Sequence, residues 1–306
     1  MSSLPREINH VLVPPIKCQG IKTKLVPFIA ANIRWTGRGR WIEPFLGSGV
    51  VAFNIQPERA LLNDSNPHII ALYQQIYVGK LTSRQVSEHL SREGAELLAK
   101  GDEHYYFVRE RFNRTTDPLD FLFLNRSCFN GVMRFNRKGQ FNTPFCRKPE
   151  RFRRALITKI ANQVTDLARV MHNKQWEFRV GAWQSCLQEI CRDDFIYLDP
   201  PYIGRHADYF DSWNEQDAID LASVAQTLPA GFALSMWKEN KYRRNEHLDL
   251  FWRGNVQRTI NHFYHVGPAE SLRNEMEEVL IIRQDFAADA FASETKSKQL
   301  AMSIGA

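Results

Sequence analysis

The apolar run Phe195-Ile196-Tyr197-Leu198 stops abruptly at Asp199-Pro200-Pro201-Tyr202. A short continuous apolar run bounded by turn residues reads as a strand buried on both faces, which points to an α/β sheet covered by helices. The residues that close it suit a flat exocyclic amine such as adenine N6. Asp199 and the Pro200 carbonyl supply acceptors for two N–H groups and draw the nitrogen toward a pyramidal shape. Consecutive prolines fix φ and stiffen the turn. Tyr202 offers a face on which an extruded base can stack. The plainer alternative for four such residues is a strand end with Asp199 capping a Pro-Pro turn.

Upstream, the order of elements fits the same sheet. Lys24 to Ile33 reads as a short helix, Arg40 to Phe45 as a strand, and Leu46-Gly47-Ser48-Gly49 as a turn into a helix beginning at Val50. Arg59 to Asn63 reads as a second strand ending at Asp64, followed by an amphipathic helix from His68 to Tyr77. Strand, glycine turn, helix, strand and acid make a nucleotide-binding βαβ unit, although the third glycine of the dinucleotide fingerprint is missing. Small residues let the backbone approach a ligand, and Asp64 is placed to accept from ribose hydroxyls. A tight turn and a helix cap are the plainer readings of Gly47, Gly49 and Asp64.

From about 79 to 159 the pattern changes. Leu81–Leu98 and Glu103–Phe112 look helical, whereas Phe121 to Phe145 alternates around Asn130-Gly131 and Lys138-Gly139, with a hairpin expected over Val132–Phe145. Basic residues crowd Arg134 to Arg154 against the single acid Glu150, interleaved with phenylalanines. That mixture can hold phosphates, stack on bases and read base edges, or it can be a solvated loop anchored by its rings. After a helix over Leu156–His172, strands are expected at Trp176–Val180, Asp194–Leu198, Gly231–Met236 and Val279–Ile282, with a helix at Glu215–Thr227. Residues from Ala287 onward read as a poorly ordered tail.

The 306 residues carry a net charge of +6, too mild to decide a partner by itself. No apolar run reaches membrane-span length, and the first 15 residues lack a signal-peptide layout. Five scattered cysteines without a C-x-x-C pair read as reduced thiols, and no metal site is expected.

Taken together these pieces resemble the Dam-like, group-alpha DNA adenine N6-methyltransferases over most of residues 14 to 284. Lys17-Cys18-Gln19-Gly20-Ile21-Lys22 is similar to the family's N-terminal cofactor motif, with Cys18 and Ile21 where the family has Trp and Gly. Glu43-Pro44-Phe45-Leu46-Gly47-Ser48-Gly49 matches its glycine motif and Asp64 its ribose-binding acid. Leu124 to Gly131, then Arg134-Phe135-Asn136 and Phe141 to Phe145, form the most family-specific stretch. Asp199–Tyr202 matches the catalytic motif, and Arg273-Asn274-Glu275 with Glu278 to Ile281 resemble the last loop and strand.

The resemblance implies a Rossmann-like methyltransferase fold: a mixed, mostly parallel sheet of about seven strands with an inserted helical and hairpin target-recognition subdomain. The catalytic domain would be 1–78 plus 160–286, the insertion 79–159, and 287–306 a flexible tail. It implies S-adenosylmethionine as cofactor, held by Lys17, Gln19, Gly20, Lys22, Glu43, Pro44, Phe45, Gly47, Gly49, Asp64 and Asp199. Where the family has an acid near the cofactor adenine, Ala182-Trp183-Gln184-Ser185 offers no carboxylate, so Gln184 or Ser185 substitutes. DNA contacts are expected from Asn125, Arg126, Asn130, Arg134, Phe135, Asn136, Arg137, Lys138, Asn142, Arg147 and Lys148, with Phe135 filling the gap left by a flipped adenine. The implied partner is double-stranded DNA, joined by a cognate restriction endonuclease acting on the same site if the enzyme belongs to a restriction-modification system and not if it is an orphan methylase, for a monomer in prokaryotic or phage cytoplasm, associated with the nucleoid. Cytosine-N4 methylation, RNA adenine methylation and a non-enzymatic DNA-binding module are the alternatives.

Overall fold

The computed structural model describes residues 3–201, 213–240, 245–263 and 275–289. Seven strands form one sheet in the order β3-β2-β1-β4-β5-β7-β6. They are β1 Trp41–Glu43, β2 Arg59–Asp64, β3 Gln175–Val180, β4 Phe195–Leu198, β5 Gly231–Asn240, β6 Val256–Phe263 and β7 Glu275–Ile282. The first five are parallel, and β7 runs antiparallel to both β5 and β6. This is the expected mixed, mostly parallel sheet.

The register of the two central strands has a local cause. Asp194 accepts from the Arg40 backbone N–H at 2.7 Å and pairs with its guanidinium at 2.8 Å, so β1 and β4 start level. Trp41 then lies opposite Phe195, and their rings stack at 5.3 Å. Equal starts bring Glu43 and Asp199 out at the same end of the sheet.

The helices are α1 Val26–Asn32, α2 Val50–Ile55, α3 Pro67–Tyr77, α4 Ser83–Lys100, α5 Asp102–Thr115, α6 Pro118–Ser127, α7 Arg154–Met171, α8 Glu215–Thr227 and α9 His247–Phe251. One core joins a sheet face to α1–α7, and a second joins the opposite face to α8 and α9. Within the insertion Arg111 bonds Asp120 at 2.7 Å and reaches Glu93 at 3.1 Å, while His104 sits 2.9 Å from Glu93. Residue 159, the expected end of the insertion, falls inside α7. No helix among the described residues is long and apolar enough to cross a membrane.

Three expectations need correction. Alternation from Phe121 gives way to α6, whose Asp117 cap accepts from Leu119 N–H with Pro118 in the first turn. Every residue from Asp120 to Ser127 is buried, so this helix has no polar face to mark its period. The hairpin expected over 132–145 is present but shorter: a single antiparallel bridge at Phe135–Phe141, with the Asn142 N–H donating to Arg134 O at 3.0 Å and the Asn136 N–H to Gln140 O at 2.9 Å. At the tail, Ala287 bridges Ile33 and the Ala288 N–H donates to Asn32 at 2.8 Å, so 287–289 are tied to the end of α1. Residues 290–306 lie outside the described residues. Two elements, β6 and α9, were not anticipated.

Candidate functional site

Strand order reverses between β1 and β4, and open α/β sheets bind ligands at the carboxyl ends flanking such a point. Glu43, Asp64 and Asp199 all emerge there. The glycine turn is built on Asp64, whose Oδ2 accepts from Gly47 N–H and Oδ1 from Asn66 N–H, both at 2.8 Å. Gly47 has φ +51° and Gly49 φ +70°, left-handed conformations that favour glycine. A Cβ on Gly49 would collide with the Phe53 ring, while one on Gly47 would meet only Cys18 Sγ, at 3.6 Å. Behind the turn, buried Asn63 donates to the carbonyls of Pro44 and Gly181 at 2.9 Å each, tying the ends of β1 and β3 together.

The 17–22 loop closes over this end of the sheet. Asn125 grips the Lys17 backbone through both its N–H (2.7 Å) and its carbonyl (2.8 Å). Arg126 donates to the Pro15 carbonyl at 3.1 Å. Farther along, Lys22 is only 3% exposed; its Nζ donates to Gly20 O at 3.0 Å and sits 3.0 Å from Asp199 Oδ1. Asp199 remains 25% exposed, so one side faces the ammonium and another faces solvent.

Burial pushes the Asp199 carboxyl above its ordinary range, and Lys22 pulls it back by charge and hydrogen bond. Glu43, buried and accepting from Trp41 Nε1 at 2.8 Å, is pushed up to about 8 by burial, with the Asp199 charge adding to the shift. One carboxyl is therefore neutral near pH 7, and the other is held toward its anionic form by a buried cation.

Aromatic rings flank the turn. Phe45 meets Trp213 edge-on at 5.4 Å and Trp183 at 6.3 Å. The sequence reading missed both tryptophans. Trp183 stood beside Gln184 at a strand end, a usable signal, but Trp213 is supplied by a distant segment. Gln184 is exposed, and Ser185 Oγ donates to Ala182 O at 2.7 Å. Gln19 is exposed, Pro200 buried and Pro201 half-buried, while Tyr202, Arg273 and Asn274 lie outside the described residues.

The residues expected to contact DNA are not all at the surface, and three neighbours in the same segment anchor it. Arg134, Arg137, Lys138, Asn142, Arg147, Lys148 and Asn130 are exposed, while Phe141, Thr143 and Phe145 turn inward and anchor the loop. Asn125 and Arg126 are corrected: both are buried in α6 and hold the 15–17 segment, so neither presents a surface to DNA. Asn136 is engaged in its own turn, its Oδ1 accepting from the N–H groups of Lys138 (2.9 Å) and Gln140 (3.0 Å). Phe135 stacks on His68 at 5.1 Å and meets Phe141 at 5.4 Å, so it is no free wedge. Phe129, absent from the sequence reading, is 54% exposed beside Asn130 and Gly131, both with positive φ.

Comparison with known proteins agrees with this geometry. The family model for D12 class N6 adenine-specific DNA methyltransferase matches residues 19–267. The Type II methyltransferase M.MjaIII of Methanocaldococcus jannaschii is 26% identical over 70% of this chain and 80% of its own. The retron Ec67 DNA adenine methylase of Escherichia coli is 30% identical over 69% of this chain and 71% of its own. The Type II methyltransferase M.FokI of Planomicrobium okeanokoites is 27% identical over 89% of this chain, which spans only 43% of that protein.

Proposed function

The chain belongs to the D12 class of N6 adenine-specific DNA methyltransferases, and from that premise we propose how its own residues methylate an adenine extruded from duplex DNA. The observation that carries the proposal is the Lys22–Asp199 pair at the strand-order reversal, one step from the Asp64-braced glycine turn.

S-adenosylmethionine fits the residues at that turn. Gly47 leaves its approach open, Asp64 has acceptors for ribose hydroxyls, and Phe45, Trp183 and Trp213 supply flat apolar faces for a base. When bound, the cofactor supplies a methyl group already activated for displacement. Gly20 and Lys17 hold the loop above it, with Gln184 at the rim.

The remaining work is positioning and polarisation of the target amine. Asp199 accepts one N6–H and the Pro200 carbonyl the other, drawing the nitrogen toward a pyramidal shape in which its lone pair is less delocalised into the ring. Lys22 has a different task. By pairing with Oδ1 it opposes the effect of burial on Asp199 and keeps a carboxylate available as acceptor. Extruding the base costs a few kcal/mol of lost stacking and pairing. The exposed Phe129 ring, rather than Phe135, fills the space it leaves, and Arg134, Arg137, Lys138, Arg147 and Lys148 hold the duplex. We extend the reading to a monomer acting in prokaryotic or phage-infected cytoplasm, with a cognate endonuclease sharing its DNA site.

The test is transfer of labelled methyl from S-adenosylmethionine to duplex DNA, followed by hydrolysis to identify the base. Wild type should yield N6-methyladenine, and Asp199→Ala should lose transfer while still binding S-adenosylhomocysteine. Near-normal turnover in Asp199→Ala would remove the mechanism.

A further inference from the structure

Between the cofactor turn and the DNA-reading loop runs an unbroken series of short contacts. Gly47 N–H and Asn66 N–H both donate to Asp64, and Asn66 Oδ1 accepts from His68 N–H at 3.0 Å. Asn66 is the N-cap of α3 with Pro67 in the first turn, so His68 is fixed where that helix begins. Its imidazole stacks on Phe135 at 5.1 Å with 15° between planes, backed edge-on by Phe112 at 4.8 Å. Phe135 sits between Arg134 and Asn136 and bridges to Phe141, while the Arg134 N–H donates to Thr143 Oγ1 at 3.0 Å. The seat of the Phe135 ring is thus one residue from the Arg134 backbone, in the same bonded turn.

Resting on the function proposed above, we propose that His68 is a positioning residue: through its stack on Phe135 it couples occupancy of the cofactor turn to the placement of the DNA-reading loop. The physical basis is competition at Asp64. Ribose hydroxyls that bond this carboxylate redistribute its bonds to Gly47 and Asn66, biasing the start of α3 and the ring seated on it. His68 contributes a flat face rather than a charge, since burial lowers its imidazole to about 4. Such coupling is reciprocal: whatever factor the cofactor adds to DNA affinity, DNA adds to cofactor affinity.

The experiment uses the full chain as wild type, His68→Ala, His68→Phe and Phe135→Leu. Each is titrated with a duplex carrying the methylation site, found by modified-base sequencing of wild-type product, with and without S-adenosylhomocysteine. Wild type should bind that duplex more tightly in the presence of S-adenosylhomocysteine, by roughly fivefold or more. His68→Ala and Phe135→Leu should lose most of that gain while binding S-adenosylhomocysteine alone within about twofold of wild type, a range small beside typical coupling factors. His68→Phe, which keeps a flat ring, should retain it. An absent gain in wild type, an undiminished gain in Phe135→Leu, or a His68→Phe variant as uncoupled as His68→Ala would each overturn the proposal. Should His68→Ala fail to fold, the other two variants decide. Wild-type methylation of DNA is scored separately; should it fail, the proposed function falls, and the same titrations on a pool of random-sequence duplexes, with the same gain and losses expected, decide the coupling.

Discussion

Glu43 ends its strand as a buried carboxyl close enough to Asp199 to feel its charge. Its folded-state pKa is about 8 against an ordinary 4.5. The folded protein thus holds a proton that the unfolded chain has released. Stability from this proton is fully present below about pH 4.5 and is lost as pH rises through about 8. Glu43→Gln keeps an acceptor for Trp41 Nε1 and removes the ionisation. Thermal melts of wild type should fall in midpoint from pH 5.5 to 8, whereas those of Glu43→Gln should stay nearly level; parallel lines would show that Glu43 does not titrate in this window. The same scale explains a limit of sequence reading. An asparagine announces an amide but not the backbone it faces, so Asn125 and Asn136 passed for base readers when one grips Lys17 and the other shapes its own turn. That Asp199, Gly47 and Asp64 stand together at one end of the sheet was legible because each sits on a turn that closes a strand.

Among the elements, the segment from α6 to α7 was the hardest to read from the sequence. Phe121-Leu122-Phe123-Leu124 is apolar without a break, so periodicity cannot separate helix from strand, and the informative signal was the Asp117-Pro118 cap. The α/β half was easier, since alternating short apolar strands and capped amphipathic helices each carry their own period. Beyond α6 the chain turns sharply at Asn130 and Gly131, with the Phe129 N–H bonded to Pro144 O at 2.8 Å, which leaves the Phe129 ring standing outward on a fixed base. Phe129→Ala should lower kcat/KM on DNA about tenfold, equivalent to ~1.4 kcal/mol of transition-state binding. Fluorescence of 2-aminopurine at the target position should report reduced extrusion, with the thermal midpoint unchanged. Full fluorescence at unaltered kcat/KM would assign the gap-filling role to another residue.

At the scale of the whole molecule, the helices of 79–159 share a core with the sheet rather than hanging from it. Phe123 of α6 stacks on Phe152 at 4.9 Å, and both belong to the cluster that also holds Trp41 and Phe195. The exposed cations are therefore mounted on a rigid base, and a net charge of +6 is less informative than where those cations stand. Arg147 and Lys148 face outward and should contact phosphate. Replacing both with Gln should reduce the slope of log affinity against log salt by about 0.9 for each phosphate no longer neutralised. An unchanged slope on non-specific duplex would remove them from the interface.

The position of β7 bears on how such a molecule comes into being. It lies between β5 and β6 although it is the last of the seven to be made, and it runs against both. While the ribosome is still adding residues before 275, β5 is a bare edge and β6 has no strand beside it. An exposed edge is a template for pairing with other chains. The glycine turn, the 79–159 segment and Asp199 have all been made by then, yet the sheet beneath them closes only when its latest strand slots into the middle. For this fold, the central sheet is completed only once its last strand has been made.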